Sequence, residues 1–303
     1  MLVNRTRKNQ KKLRRWVEEE GITCYRLYDR DIPEIPLTVD WYEGRLHILA
    51  FTKDSLPGRD EVEVLVSALA SHLDVPPEKV FLKQKERKQG AQYEKVSKEA
   101  ARFVVSEGGL KFMVNLSDYV DTGLFLDHRR TRKLVADEAR GKRFLNLFSY
   151  TGAFTVHAAA GGAISTTSVD LSNTYLDWAE ENMRLNGFEG PAHQFLRDDI
   201  FKALDHHKPD HDGYELAIVD PPTMSRSKGM SRNLDLQRDH VSLLNRTLDL
   251  CVSGAVIYFS TNFRRFKFHA DEIRCSKKED ITSHTLPKDF RDPKVHRCFR
   301  IVK

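Results

Sequence analysis

The chain has 303 residues, 40% of them hydrophobic and 31% charged, and carries a formal net charge of +5. That length can bury one large core and a smaller one. No apolar run approaches the roughly 18 residues of a membrane span, and no apolar stretch follows the basic start NRTRKNQKKLRRW, as an export signal would require, so a cytoplasmic protein is expected.

Taken in order, Asn4 to Glu20 places Leu13, Trp16 and Val17 at helical spacing among basic residues and stops at Gly21, which predicts a basic amphipathic helix. From Tyr25 to Phe51 the text is strand-like, with Leu37 to Val39 and Leu46 to Leu49 as a pair turning at Glu43-Gly44. Glu61 to Leu73 reads as a helix, and Val80 to Lys85 and Leu110 to Asn115 as strands separated by a charged, polar loop. Lysine and arginine cluster in Arg5 to Arg15, Lys83 to Lys88 and Arg129 to Lys133. Each run alone is better read as a solvated face. Three of them around one domain favour a nucleic-acid partner, without choosing RNA over DNA. The four cysteines, Cys24, Cys251, Cys275 and Cys298, show no C-x-x-C spacing, so buried, reduced thiols are expected and no metal site is.

Asp121 to Lys133, DTGLFLDHRRTRK, joins the two parts. Phe125 offers a face to an adenine or methionyl group, and Asp127 is placed to cap a helix beginning at His128. His128 could be a general base, but a lone histidine at a helix start is more often structural. The organising stretch follows, KRFLNLFSYTGAFTVHAAAGGAISTTSVD, from Lys142 to Asp170. A short apolar run breaks at Ser149-Tyr150-Thr151-Gly152, an alanine-rich helix runs to Ala160, and a second strand ends in Asp170, which makes a β-loop-α-β unit. In such units the ligand lies beyond the carboxyl ends of the strands. Gly152 lets the backbone approach that ligand, and Asp170 can accept hydrogen bonds from a ribose diol. A dinucleotide loop needs three spaced glycines, whereas this loop has one before its helix, so a nucleoside without pyrophosphate, such as S-adenosylmethionine, fits better than a dehydrogenase cofactor.

Downstream, Asn173 to Asn186 reads as a helix with Trp178 in the core, and His193 to Arg197 as a strand ending in Asp198-Asp199, where Asp199 is a candidate helix cap. Lys202 to Asp212 reads as a charged solvent loop whose His206, His207 and His211 lack a metal-ligand pattern. Glu215 to Val219 delivers Asp220-Pro221-Pro222-Thr223 to the crevice, where the prolines stiffen the backbone and leave fixed carbonyls. Met224 to Arg232 is a candidate loop over the substrate. Leu236 to Leu250 is a helix, Ala255 to Ser260 a strand, and Ile281 to Leu286 with Val295 to Val302 the expected closing antiparallel pair.

Four stretches in order, TGLFLDHRRTR, FLNLFSYTGAF, VDLSNTYLDWAEENMRLNG and VDPPTMS, resemble the motifs of class I methyltransferases in the RlmK type of ribosomal RNA enzyme, the C-terminal half of the bifunctional RlmKL enzymes. The resemblance implies an α/β fold: a Rossmann-like, mostly parallel sheet of seven strands, preceded by a small α+β subdomain. Its expected divisions are a basic helix over 1–22, an RNA-binding subdomain over 23–118 and the methyltransferase domain over 119–303. It implies a cofactor pocket of Phe125, Asn146, Phe148, Ser149, Tyr150, Gly152, Asp170, Leu171, Asp199 and Asp220, with Asp199 recognising the adenine, a role that stays open against helix capping. Asp220, Pro221 and Pro222 become the catalytic tetrapeptide motif, and Arg129, Arg130, Arg264 and Arg265 the RNA contacts. The implied reaction is methylation of a guanine nitrogen 7 in 23S ribosomal RNA.

Two departures matter. Thr223 stands where the motif customarily has an aromatic residue, which weakens an exocyclic-amine assignment. Ser260-Thr261-Asn262 lacks the cysteine that cytosine carbon-5 chemistry needs. An upstream half, present in the fusion enzymes, either precedes Met1 or is dispensed with. The rival readings are an exocyclic-amine methyltransferase acting on RNA or DNA and a non-catalytic RNA-binding module.

Overall fold

The computed structural model describes residues 1–51, 58–85, 101–119, 121–207, 212–225 and 233–303. The chain divides into two compact units, Met1–Leu126 with Pro287–Asp292, and Asp127–Leu286 with Pro293–Lys303.

In the first unit, α1 (Leu2–Glu19) buries Leu2, Leu13 and Trp16 and packs on β1 (Cys24–Asp29). Asn9 of α1 donates 2.9 Å hydrogen bonds to the Leu27 carbonyl and to Asp31. The N-terminal helix is therefore part of the first unit's core, which corrects the expected separate segment at 1–22. Its exposed Arg14 and Arg15 pair with Glu18 and Glu19 one turn on. The strands β1, β2 (Leu37–Tyr42), β3 (Arg45–Phe51) and β4 (Val80–Lys85) form one sheet in that order, with α2 (Arg59–His72) connecting the parallel β3 and β4. The β2–β3 turn falls at Glu43-Gly44, both at positive φ (46° and 85°), the geometry that tight hairpins favour because it matches strand twist. β5 (Arg102–Glu107) and β6 (Leu110–Asn115) make a separate hairpin. β5 lies where the sequence suggested only loop. The boundary after Leu126 also lies later than the expected one at 118, because Tyr42 hydrogen-bonds Thr122 and so ties that segment to the first sheet.

The second unit runs α3 (Arg129–Glu138), β7 (Arg143–Leu147), α4 (Ala153–Ala160), β8 (Ser165–Asp170), α5 (Asn173–Leu185), β9 (His193–Arg197), α6 (Ile200–His206) and β10 (Tyr214–Val219). A small bridge of β11 (Met224–Ser225) with β12 (Leu234–Asp235) follows, then α7 (Leu236–Asp249), β13 (Cys251–Thr261), β14 (Lys277–Asp280), α8 (Thr282–Thr285) and β15 (Arg297–Val302). Seven strands form one sheet in the order β14-β15-β13-β10-β7-β8-β9; β15 is antiparallel to its neighbours and the rest are parallel. The central strands are continuously apolar because helices cover both faces, as in Ala217, Val219, Ile257 and Phe259 against Leu243 and Leu244.

Two expectations need correction. The closing antiparallel pair is β14 with β15, and 281–286 is not a strand. Asp280 accepts from the Thr282 backbone N–H and hydroxyl, which turns the chain into the short α8. The segment read as a loop from Lys202 begins instead as α6, because Asp199 caps it. His211 and residues 226–232 of the proposed substrate loop, like Glu86 to Lys88 at the end of the second basic run, lie outside the described residues.

Candidate active site

Strand order reverses about β7: β8 and β9 lie to one side and β10 returns on the other, so the crevice for a ligand opens at the carboxyl ends of β7 and β10. Register fixes what stands there. Leu147 pairs with both Val169 and Val219, so the next residues, Phe148, Asp170 and Asp220, lie side by side along one edge.

The loop after β7 is a backbone device. Phe148 (φ 60°), Tyr150 (φ 48°) and Gly152 (φ 70°) all sit in the left-handed region, which costs a non-glycine residue about 1–2 kcal/mol. Such strain survives only where neighbours over-determine it. Here Asp170 accepts the Tyr150 N–H at 3.0 Å with one oxygen and the Ser172 N–H at 2.9 Å with the other, so a single carboxylate ties the loop to the start of α5. Burial pushes the Asp170 carboxyl upward, and the backbone N–H groups of Ser172, Tyr150 and Leu171 oppose that. Asn182 holds the Thr151 carbonyl at 2.8 Å. The Tyr150 ring packs edge-on against Tyr175 (4.6 Å), and Trp178 is buried. A Cβ on Gly152 would lie 2.7 Å from that of Ala179, so only glycine brings the loop this close to α5.

Several residues taken from the motifs do other work. Asn146 is 1% exposed and donates to Thr155 at 2.9 Å, which in turn bonds Ser168. It braces β7, α4 and β8 rather than facing a ligand, which corrects its expected cofactor role. Asp199 is 3% exposed and accepts from the backbone N–H groups of Phe201 and Lys202. Of its two open roles the structure shows helix capping, and the partly exposed member of the pair is Asp198. The Leu171 carbonyl accepts from Arg197. Phe125, 40% exposed, belongs to the first unit. Arg129 is buried, and Arg130 donates to the carbonyls of His284 and Leu286, so neither presents an open guanidinium to RNA phosphate as expected. Arg264 and Arg265 are exposed. Arg264 lines a cleft of about 290 Å³ with Phe263, Lys294, His296 and Arg297.

Asp220 follows β10 with its side chain 24% exposed, and Pro221 behind it is buried. Thr223 donates to the Asn262 side chain at 2.8 Å, which links this turn to the end of β13. Beside Asp220 lies a group that sequence reading undervalued. His128 is 5% exposed, its Nε2 is 3.6 Å from Asp220 and 3.8 Å from Asp127, and its ring stacks on His296 at 4.6 Å. His296 Nδ1 donates to Asp127 at 3.0 Å, so Asp127 serves this histidine, and the residue at the cap position of α3 is His128 rather than the expected Asp127. No local pattern could announce this, because 169 residues separate the partners. Asp127, His128 and His296 bring nitrogen and oxygen atoms within 4.8 Å of one another. The stacked rings, 15° apart, keep their in-plane lone pairs parallel rather than convergent, and hydrogen bonds to Asp127 and Thr285 occupy both His296 nitrogens. This is a hydrogen-bonded cluster and a poor metal cage.

The model of the S-adenosylmethionine-dependent methyltransferase family matches residues 25–266. The chain belongs to that family. It is 46% identical over 304 residues to the ribosomal RNA large subunit methyltransferase K of Neisseria meningitidis serogroup B, covering 99% of this chain and 86% of the relative. It is also 46% identical to the ribosomal RNA large subunit methyltransferase K/L of Syntrophotalea carbinolica, and there the chain spans 43% of the relative's length. A SAM-dependent methyltransferase from Streptococcus mutans shares the fold with a TM-score of 0.77 at 24% identity, over 100% of this chain and 81% of that one. The RlmK-type resemblance and the seven-stranded sheet are thus both found. The methyltransferase's own residues fit S-adenosylmethionine: in the loop after β7 the buried Ser149 hydroxyl has no hydrogen-bond partner of its own. Among the described residues no helix is long and apolar enough to cross a membrane. No disulfide joins the four cysteines, three of which are buried.

Proposed function

We propose that this chain transfers a methyl group from S-adenosylmethionine to ring nitrogen 7 of a guanine in large-subunit (23S) ribosomal RNA. The observation that carries the reading is the row of Phe148, Asp170 and Asp220 along one sheet edge, in a chain 46% identical over nearly its whole length to a methyltransferase named for that RNA. Nitrogen 7 as the acceptor rests on the RlmK-type resemblance. An upstream half, as in the K/L relatives, would be a further partner.

When bound, the cofactor supplies an electrophilic methyl group on a sulfonium. Phe148, Tyr150 and Gly152 shape the methionine side of its pocket, Ser149 and Leu171 line it, Asp170 reaches the ribose, and the Asp198-Asp199 pair at the start of α6 takes the adenine-facing place. Guanine nitrogen 7 carries an in-plane lone pair, so no residue has to remove a proton from it. Holding the base in line is the main task, and proximity with orientation can supply roughly 7–11 kcal/mol. The Asp220 carboxylate and the Pro221 carbonyl are acceptors, suited to the N–H donors on the guanine edge remote from nitrogen 7, while Pro222 keeps the turn stiff. Reaching this pocket requires the guanine to leave its stack, at a cost of a few kcal/mol. Arg264 and Arg265 contact the flanking phosphates.

The test is incubation with labelled cofactor and undermethylated ribosomal RNA, followed by mass spectrometry of the digested nucleosides. The expected product is 7-methylguanosine. A methyl group on an exocyclic amine would transfer the assignment to the rival chemistry, and no incorporation would leave an RNA-binding module.

A further inference from the structure

We propose that His128 is a positioning residue for methyl transfer: its Nε2–H holds the Asp220 carboxylate in the orientation that receives the target base. The inference deepens the reading above and rests on it, since it needs Asp220 to be the base-facing acceptor.

The argument starts from where the imidazole proton can be. Nδ1 of His128 is buried without a hydrogen-bond partner, whereas Nε2 faces two carboxylates, Asp220 at 3.6 Å and Asp127 at 3.8 Å. A proton on Nδ1 would point at nothing, while one on Nε2 has two acceptors, so the geometry selects the Nε2–H tautomer. The ring cannot turn away. His296 stacks on one face at 4.6 Å and Phe154 meets it edge-on at 5.8 Å. His296 is itself fixed by Asp127 at Nδ1 (3.0 Å) and by Thr285 at Nε2 (2.9 Å). The chain Thr285–His296–Asp127 thus immobilises a donor whose best remaining use is Asp220. At 3.6 Å the pair is too far apart for a formed hydrogen bond and reaches one after a small side-chain rotation, which base binding provides. Neither histidine touches the reacting atoms.

Two substitutions separate donor position from ring removal. The Gln amide nitrogen reproduces Nε2, while that of Asn falls at Nδ1. The purified full chain is assayed for kcat and KM toward ribosomal RNA at saturating S-adenosylmethionine, with cofactor affinity measured by calorimetry. His128→Gln should stay near the parent in kcat. His128→Asn should lose about 100-fold, the scale of a misplacement near 1 Å, with cofactor affinity and KM little changed. His128→Asn should add almost nothing to Asp220→Asn, because the histidine works only through that carboxylate. Equal activity of the Gln and Asn variants, or losses that multiply in the double variant, would overturn the proposal. A crippled Asp220→Asn beside a fully active His128→Asn sinks this inference alone, whereas a fully active Asp220→Asn removes the Asp220 reading and the inference with it. If His128→Asn does not fold, His296→Asn, which loosens the stack behind His128, should give the same kcat loss and the same non-additivity; additivity there counts against the proposal.

Discussion

The two halves of the crevice are built in different ways. The cofactor side is a backbone construction: three alternate residues at positive φ, tied down by one carboxylate and one asparagine, all within residues 146–182. The acceptor side is a side-chain construction, in which Asp220 meets a buried cluster gathered from residues 127, 128, 285 and 296. The first is stiff because its backbone has no alternative. The second is held by hydrogen bonds, and single side chains can retune it without disturbing the fold.

That contrast predicts opposite failure modes. Asp220→Asn should leave cofactor binding and thermal stability near the parent and lower kcat by about 10²–10³-fold, the scale seen when one oriented electrostatic interaction is removed; calorimetry alongside steady-state rates checks both halves of the statement. Gly152→Val should instead damage stability and cofactor binding together. A β-branched residue at φ 70° meeting Ala179 should cost about 2–5 kcal/mol in strain and overpacking, and the thermal shift on adding S-adenosylmethionine should vanish. Asp170→Ala strands the Tyr150 and Ser172 N–H groups and should weaken cofactor binding by about 1–3 kcal/mol, read as the change in Kd with kcat at saturation less affected.

A smaller effect separates the sides by pH. Burial holds the His128 pKa below its ordinary 6.5, so the folded state keeps the imidazole neutral. Its contribution to stability is complete above pH 6.5 and is lost as pH falls through the depressed folded value. His47, His193 and His240 are lowered by burial in the same sense. Urea midpoints should therefore fall on acidification below neutrality, and His128→Gln should flatten that fall by one histidine's share. Smallest of all, Arg264→Ala with Arg265→Ala should leave kcat unchanged and reduce the slope of log affinity against log salt by about 0.7 for each single-strand phosphate no longer neutralised.

Legibility in the sequence followed the same division. Strand, loop and helix from 143 to 170 could be read directly, because apolar runs, one glycine and a terminal aspartate are local signals, and the Glu43-Gly44 hairpin was legible for the same reason. Asp199 was half legible: an aspartate before a helix is always a capping candidate, and the N–H groups of Phe201 and Lys202 show it in that role. Asn146 was misread because a motif position says nothing about which way a strand residue points, and here it points at Thr155. Arg129 and Arg130 were misread because a run of arginines looks basic whatever it packs against.

By itself the amino-acid order determined the α/β class, the nucleoside-binding unit and the Asp220-Pro221 turn, since each depends on neighbours within a few residues. Tertiary structure alone decided what surrounds Asp220. His128 reads as an ordinary residue at a helix start until antiparallel β15 carries in His296 beside it, and pairing between residues so far apart is set by sheet register and burial, which no local pattern encodes.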